Sequence, residues 1–144
     1  MGVPVFYDDG LRHVFAHTCG VGRWKKIVVG AAWAKILPRF QAAILAHEVG
    51  HVRLKHHEAR FLRFWMLLWP PSASKFYREQ EHEADLFAAK MGYRQALIEL
   101  YQKMDGFLDL YPDPENEEHR IIRRVQRFYN PELKERIARL QKGD

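Results

Sequence analysis

The apolar positions change period about a fifth of the way along the chain. Val3 to Tyr7 alternates like a short strand and is closed by the turn Asp8-Asp9-Gly10. His13 to Thr18 predicts a second strand, and Cys19-Gly20-Val21-Gly22 a glycine-rich turn. Lys26 to Val29 predicts a third strand, ended by Gly30. From Ala31 onward the pattern is helical. Ala42, Leu45, Ala46, Val49 and Val52 recur at three- and four-residue spacing, which predicts an amphipathic helix from about Pro38 to His56 with Pro38 in the first turn. Pro70-Pro71-Ser72 breaks the pattern, Ser72 or Ser74 suits a cap, and the next helix runs to about Met91 before Gly92. A further helix covers roughly Arg94 to Leu110, and Tyr111-Pro112-Asp113-Pro114 is a loop. Two basic helices follow, divided near Asn130-Pro131. A few strands followed by helices is the order of an α+β fold.

Length and composition narrow the class. The 144 residues suit a single domain, 1–144, with one core, and 47% apolar against 28% charged residues is the balance of a globular chain. One cysteine, Cys19, leaves no internal disulfide, so a disulfide-stapled secreted fold is excluded and a reducing, cytoplasmic setting is expected. Met1 to Gly10 has no basic region leading into an apolar run, so no secretory signal is expected there. The longest apolar stretch, 61–71, is interrupted by Arg63 and is far short of the roughly 20 residues that span a bilayer. Its Phe61, Phe64, Trp65 and Trp69 predict a core segment, or else a peripheral contact with a membrane interface or a partner.

The net charge of +5 lies at one end: residues 1–118 carry 15 basic and 15 acidic side chains, residues 119–144 carry 8 and 3. No aromatic-interleaved basic motif accompanies this excess, so a solvated face is expected rather than a nucleic-acid surface.

The chemistry is concentrated in His47-Glu48-Val49-Gly50-His51. Two histidines four apart share one helix face, and both imidazoles can reach one zinc ion at about 2.0–2.1 Å. Glu48 is then placed to act as general base on a metal-activated water, the chemistry of the HExxH arrangement. Gly50 would let another backbone approach closely. A catalytic zinc needs a third protein ligand and an open fourth position. His57 is one candidate by spacing, but Leu54 stands where a chain turn would need glycine, and on a continuous helix His57 points about 240° away from His51. His56 and His57 are therefore expected to be solvated residues at the helix end. The other candidate is Glu81, in Glu79-Gln80-Glu81-His82-Glu83-Ala84-Asp85. Asp85, one turn later, can accept a hydrogen bond from a ligand histidine and fix its tautomer. Glu79 and Glu83 fall on other faces and should be exposed. Ala84, Ala88 and Ala89 should let the two helices pack closely.

These two motifs together resemble the gluzincin zinc metallopeptidases of the CAAX prenyl endopeptidase and HtpX heat-shock protease type. Ile27-Val28-Val29-Gly30 through Ala43-Ile44-Leu45-Ala46-His47-Glu48-Val49-Gly50-His51 is similar to that family's strand and helix, and Glu81-His82-Glu83-Ala84-Asp85-Leu86-Phe87-Ala88 to its second motif. Asn130-Pro131-Glu132-Leu133-Lys134-Glu135-Arg136-Ile137 loosely resembles the segment before its last helix. The resemblance implies a zincin-like domain with a small N-terminal sheet, one catalytic zinc held by His47, His51 and Glu81, and hydrolysis of peptides or unfolded proteins. It also implies an edge strand that pairs with extended substrate, matched by position to His13-Val14-Phe15-Ala16, hence substrate-strand residues Val14, Phe15 and Ala16. The chain departs from the family in lacking its transmembrane helices, in Asn130 where the family has histidine, and in His82 where an aromatic residue is usual.

Several residues stay open at this point. Thr18-Cys19-Gly20-Val21-Gly22 faintly resembles a cysteine switch, although a plain turn cysteine is the expected role. Tyr93, Arg136 and His119 are candidate oxyanion stabilisers. Two rival functions remain: a regulator-cleaving peptidase of the ImmA/IrrE type, and a non-catalytic zinc-bound interaction module using the basic C-terminal helices. Asp85, where the ImmA/IrrE pattern has asparagine, argues against the first. The intact Glu48 argues against the second.

Overall fold

The computed structural model describes residues 2–11, 15–62, 70–110 and 133–143; residues 70–73 and 106–110 are described by their backbone. Three strands come first: β1 (Val5–Asp8), β2 (Ala16–Cys19) and β3 (Lys26–Gly30). Among the described residues five α-helices follow: α1 (Pro38–Arg53), α2 (His56–Leu62), α3 (Pro70–Ala88), α4 (Arg94–Leu110) and α5 (Leu133–Lys142). The α+β class is as the sequence predicts.

The sheet is mixed, in the order β1-β3-β2. β1 runs parallel to β3, with Val5 opposite Ile27, and β2 runs antiparallel to it, with Thr18 opposite Ile27. Ile27, Val28 and Val29 are all buried, as a central strand covered on both faces requires. β1 is exposed throughout. β2 forms the other edge and packs along α1.

α1 carries His47, Glu48 and His51 into the core. Phe40, Ala43, Ile44 and Ala46 are buried against Ala88, Leu97, Ile98, Tyr101 and Leu140 from α3, α4 and α5. A five-residue π-turn, Ala89–Tyr93, joins α3 to α4, and Gly92 takes a left-handed φ of 94° there, which a side chain would disfavour. Gly50 has a different task. A Cβ at this position would lie 3.1 Å from Ala84 Cα and 3.2 Å from Ala84 O, so its absence sets the closeness of α1 and α3. Gly50→Ala would gain up to about 1 kcal/mol of helix propensity. It would lose about 1–3 kcal/mol by overpacking against backbone that cannot step aside alone. The expected net result is a loss of about 1 kcal/mol in a denaturant titration, with α1 and α3 pushed apart at the point where both carry candidate ligands.

One predicted helix is two. The Pro38–His56 helix stops at Arg53, and Lys55 adopts a left-handed φ of 57° before α2 begins. No glycine marks the break. A tertiary contact accompanies it: Lys25, from the loop before β3, donates from Nζ to Val52 O (3.2 Å) and pairs with Glu58 at 2.5 Å. A cation at a helix C-terminus satisfies carbonyls that the next turn would otherwise use. The turn re-aims everything after Leu54, with consequences for His56 described below.

Segment 61–71 lies largely outside the described residues, and Phe61 and Leu62 at its start are exposed. Among the described residues no helix is long and apolar enough to cross a membrane. The first of the two predicted basic C-terminal helices also lies outside them. In α5, Lys134 lies 3.9 Å from Asp105 and Arg139 lies 3.5 Å from Glu79, so part of the C-terminal charge excess is paired within the chain.

Candidate metal centre

α1 delivers His47, Glu48 and His51 at buried positions one turn apart, and α3 crosses it with Glu81 and Asp85 on the facing side. The Nε2 atoms of His47 and His51 are 3.1 Å apart. Glu81 Oε2 lies 3.4 Å from the first and Glu81 Oε1 lies 3.4 Å from the second. Three ligand atoms bound at zinc's usual 2.0–2.1 Å occupy tetrahedron corners about 3.3–3.4 Å apart. The Nε2–Nε2 separation and the approach of one Glu81 oxygen to each imidazole are close to that spacing, so the carboxylate straddles the third corner of such a site. Two imidazoles and a carboxylate are also a donor set that suits zinc. Among the described residues these three form the one group of its kind.

Behind His47 stands a buried charge cluster. Asp85 Oδ1 lies 2.9 Å from His47 Nδ1. An Nδ1 proton there points at the carboxylate, and Nε2, the nitrogen that faces His51 and Glu81, is left to carry a proton or to bind a metal. Asp85 is itself clamped: Arg136 donates from Nε to Oδ2 at 2.7 Å and from Nη2 to Oδ1 at 2.6 Å, and the Tyr101 hydroxyl donates to Oδ1 at 2.7 Å. Arg136 also donates to the Tyr101 oxygen and lies over its ring, 4.3 Å from the centroid. Nη1 of Arg136 reaches to 3.6 Å from Glu81 Oε2.

The titration of these groups follows from that arrangement. Burial pushes the Asp85 carboxyl up, but Arg136 and His47 outweigh it and hold Asp85 below the usual carboxylate range. Burial likewise raises Glu81, yet hydrogen bonds from His47 and His51 keep it well below its ordinary value. Burial depresses His47, but Asp85 and Glu81 together lift it to about 10. Burial drives Tyr101 well above its ordinary value, so its hydroxyl stays a donor. Asp85 and Glu81 thus share the Arg136 guanidinium, and the Arg60 guanidinium also lies 3.4 Å from Glu81 Oε1.

Glu48 is buried but outside the ligand triangle. The hydroxyl of Thr18, on β2, donates to Glu48 Oε2 at 2.6 Å and lies 3.1 Å from Glu48 O. Oε1 makes no hydrogen bond to any described residue. Side chains alternate along a strand, so with Thr18 turned toward α1 its neighbour Cys19 points to the other face of the sheet, and a cysteine switch has no support. Phe15 and Ala16 lie at the start of β2 with their side chains packed on the helical core, which leaves only backbone for a substrate; Val14 lies outside the described residues.

Three expectations need correction. His56 is not solvated: it is 2% exposed, its Nδ1 lies 2.7 Å from His51 Nδ1, and its Nε2 lies 2.9 Å from Glu83 Oε2. The chain turn at Leu54-Lys55 puts it there. Burial, with His51 and Arg60 nearby, lowers its pKa to about 3, which favours the neutral ring. Glu83 is half-exposed as expected, yet it is engaged with His56. His57 stays outside the ligand triangle, but not for the helical reason, since the helix does not continue; its ring centroid is 6.4 Å from that of His51. Arg136 is no oxyanion donor, because its guanidinium is committed to Asp85 and Tyr101. Tyr93 packs on the helical core, and His119 and Asn130 lie outside the described residues.

The sequence pattern assigns no site role to Thr18, His56, Tyr101 or Arg60. Arg60, on α2, donates from Nε to Gln80 Oε1 at 2.6 Å and lies 3.4 Å from Glu81 Oε1. Tyr101 and Arg136 carried a usable mark. Each sits in the apolar stripe of its helix, Leu97-Tyr101 and Leu133-Arg136-Ile137-Leu140, where a polar group must be paired inside. No protein-family model matches this chain, and no curated protein or solved structure matches it with significance.

Proposed function

We propose that this chain is a zinc-dependent endopeptidase with a zincin-like, gluzincin-type site, in which His47, His51 and Glu81 hold the ion and Glu48 is the general base. The observation that carries the reading is the convergence of two imidazole nitrogens 3.1 Å apart with one carboxylate, whose two oxygens each lie 3.4 Å from one of them. A zinc ion bound there would acidify a water molecule and polarise a peptide carbonyl.

The chain's own residues supply the rest. Thr18 occupies one oxygen of Glu48, which leaves Oε1 to accept a proton from the attacking water and return it to the leaving amine. Asp85, clamped by Arg136 and Tyr101, keeps the His47 lone pair aimed at the ligand centre. β2 is a sheet edge whose Thr18 touches the general base, so a peptide adding to that edge would run past the reacting centre. Recognition through backbone favours extended peptides and unfolded proteins over one defined sequence. Intact Glu48, held but outside the triangle, favours catalysis over a purely structural site.

The test is hydrolysis of reduced, unfolded casein by the zinc-loaded chain. Cleavage is expected, with loss on adding 1,10-phenanthroline and recovery on restoring zinc. A zinc-loaded chain that cleaves no unfolded protein would overturn the proposal.

A further inference from the structure

We infer that His56 and Glu83 form a positioning relay that sets which nitrogen of His51 is free to bind metal. The inference rests on the zinc reading above but concerns residues outside the ligand set.

The relay follows from proton placement along two contacts. Glu83 Oε2 can only accept, so the proton in the 2.9 Å contact sits on His56 Nε2. A neutral imidazole protonated at Nε2 has a bare Nδ1. That atom lies 2.7 Å from His51 Nδ1, so the two rings share one proton across the contact. When His51 Nε2 binds a metal, the one proton left on that ring is on Nδ1, and the bare His56 Nδ1 at 2.7 Å is placed to accept it. Nε2 is the atom that faces His47 Nε2 at 3.1 Å and Glu81 Oε1 at 3.4 Å. A carboxylate on α3 thus dictates, through one intervening ring, the tautomer of a residue on α1.

The two candidate histidine ligands are then supported in different ways. His47 has a direct carboxylate, Asp85, whose side chain is 3% exposed and clamped from behind by Arg136 and Tyr101. His51 has an indirect one, Glu83, whose side chain is 52% exposed. The backbone is arranged for this second support. On a straight continuation of α1, position 56 would sit about 140° around the axis from His51. The turn at Leu54 and the left-handed Lys55 bring its ring back against the His51 ring, with centroids 4.9 Å apart.

The test is the zinc dissociation constant measured by chelator competition on the full chain, with the visible spectrum of the cobalt-substituted protein as a readout of ligand geometry. Partners of ligand histidines commonly change metal affinity by about 10–100-fold, and His56→Ala should weaken zinc within that range and perturb the cobalt bands. Glu83→Ala should weaken it less, and should add nothing in the His56→Ala background, because a chain is broken by either link. His56→Asn returns an acceptor near the Nδ1 position and should recover most of the affinity without needing Glu83. If His56→Ala does not fold, Glu83→Ala and His56→Asn carry the comparison. Wild-type zinc binding with unchanged affinity in these variants would overturn the relay and leave the zinc reading intact, as would independent, additive losses from the two sites. A wild-type chain that binds no zinc at the Glu81 triangle would overturn both.

Discussion

Glu48→Gln is expected to keep its zinc and lose cleavage of unfolded protein by about 10²–10⁴-fold, the usual contribution of a positioned general base. The amide preserves shape, and its oxygen can still accept the Thr18 hydroxyl that now holds Oε2 at 2.6 Å. It cannot take a proton from water. The ligand triangle does not include Glu48, so metal content and affinity should be unchanged. Measured together, turnover and zinc stoichiometry separate a lost base from a lost metal. Retained cleavage in this variant would remove Glu48 from the mechanism.

Asp85→Ala should be the most destabilising single change at the site. It leaves the Arg136 guanidinium buried with Glu81 at 3.6 Å as its nearest remaining carboxylate. Breaking a buried ion pair by removing one partner costs about 3–5 kcal/mol, because the other charge stays desolvated and uncompensated. For a chain of this size that is a fall of roughly 10–20 °C in the thermal midpoint. The measurement belongs in chelator, so that metal binding does not mask it. Arg136→Met in the Asp85→Ala background should recover much of the loss by removing the stranded charge. Both Asp85 variants should bind zinc more weakly than wild type, because His47 loses the acceptor that fixes its tautomer. An Asp85→Ala protein as stable as wild type would mean that the cluster is not coupled as its geometry indicates.

The helical pattern was legible because it is local. Spacing in 38–53 and 70–110 marked α1, α3 and α4, and Gly92 marked the join between the last two. The three strands were legible from alternation and glycine punctuation, though not their mixed pairing, which depends on contacts distant in sequence. His47, His51, Glu81 and Asp85 were legible for the same local reason: each pair is four residues apart on its own helix. The break at Leu54-Lys55 was not. No glycine or proline announces it, and Lys25, some 27 residues earlier, supplies the contact at Val52 O. Missing the break meant missing His56, because its burial depends on the turn. Thr18 was hidden likewise, since a threonine in a short strand carries no mark of the helix it faces.

The most direct test of the account is zinc-edge X-ray absorption on the zinc-loaded chain. The expected spectrum is a four-coordinate ion with two imidazole nitrogens, one carboxylate oxygen and one further oxygen at about 2.0–2.1 Å, losing one imidazole contribution in His47→Ala. A zinc shell without imidazole, or one unchanged in His47→Ala, would contradict it.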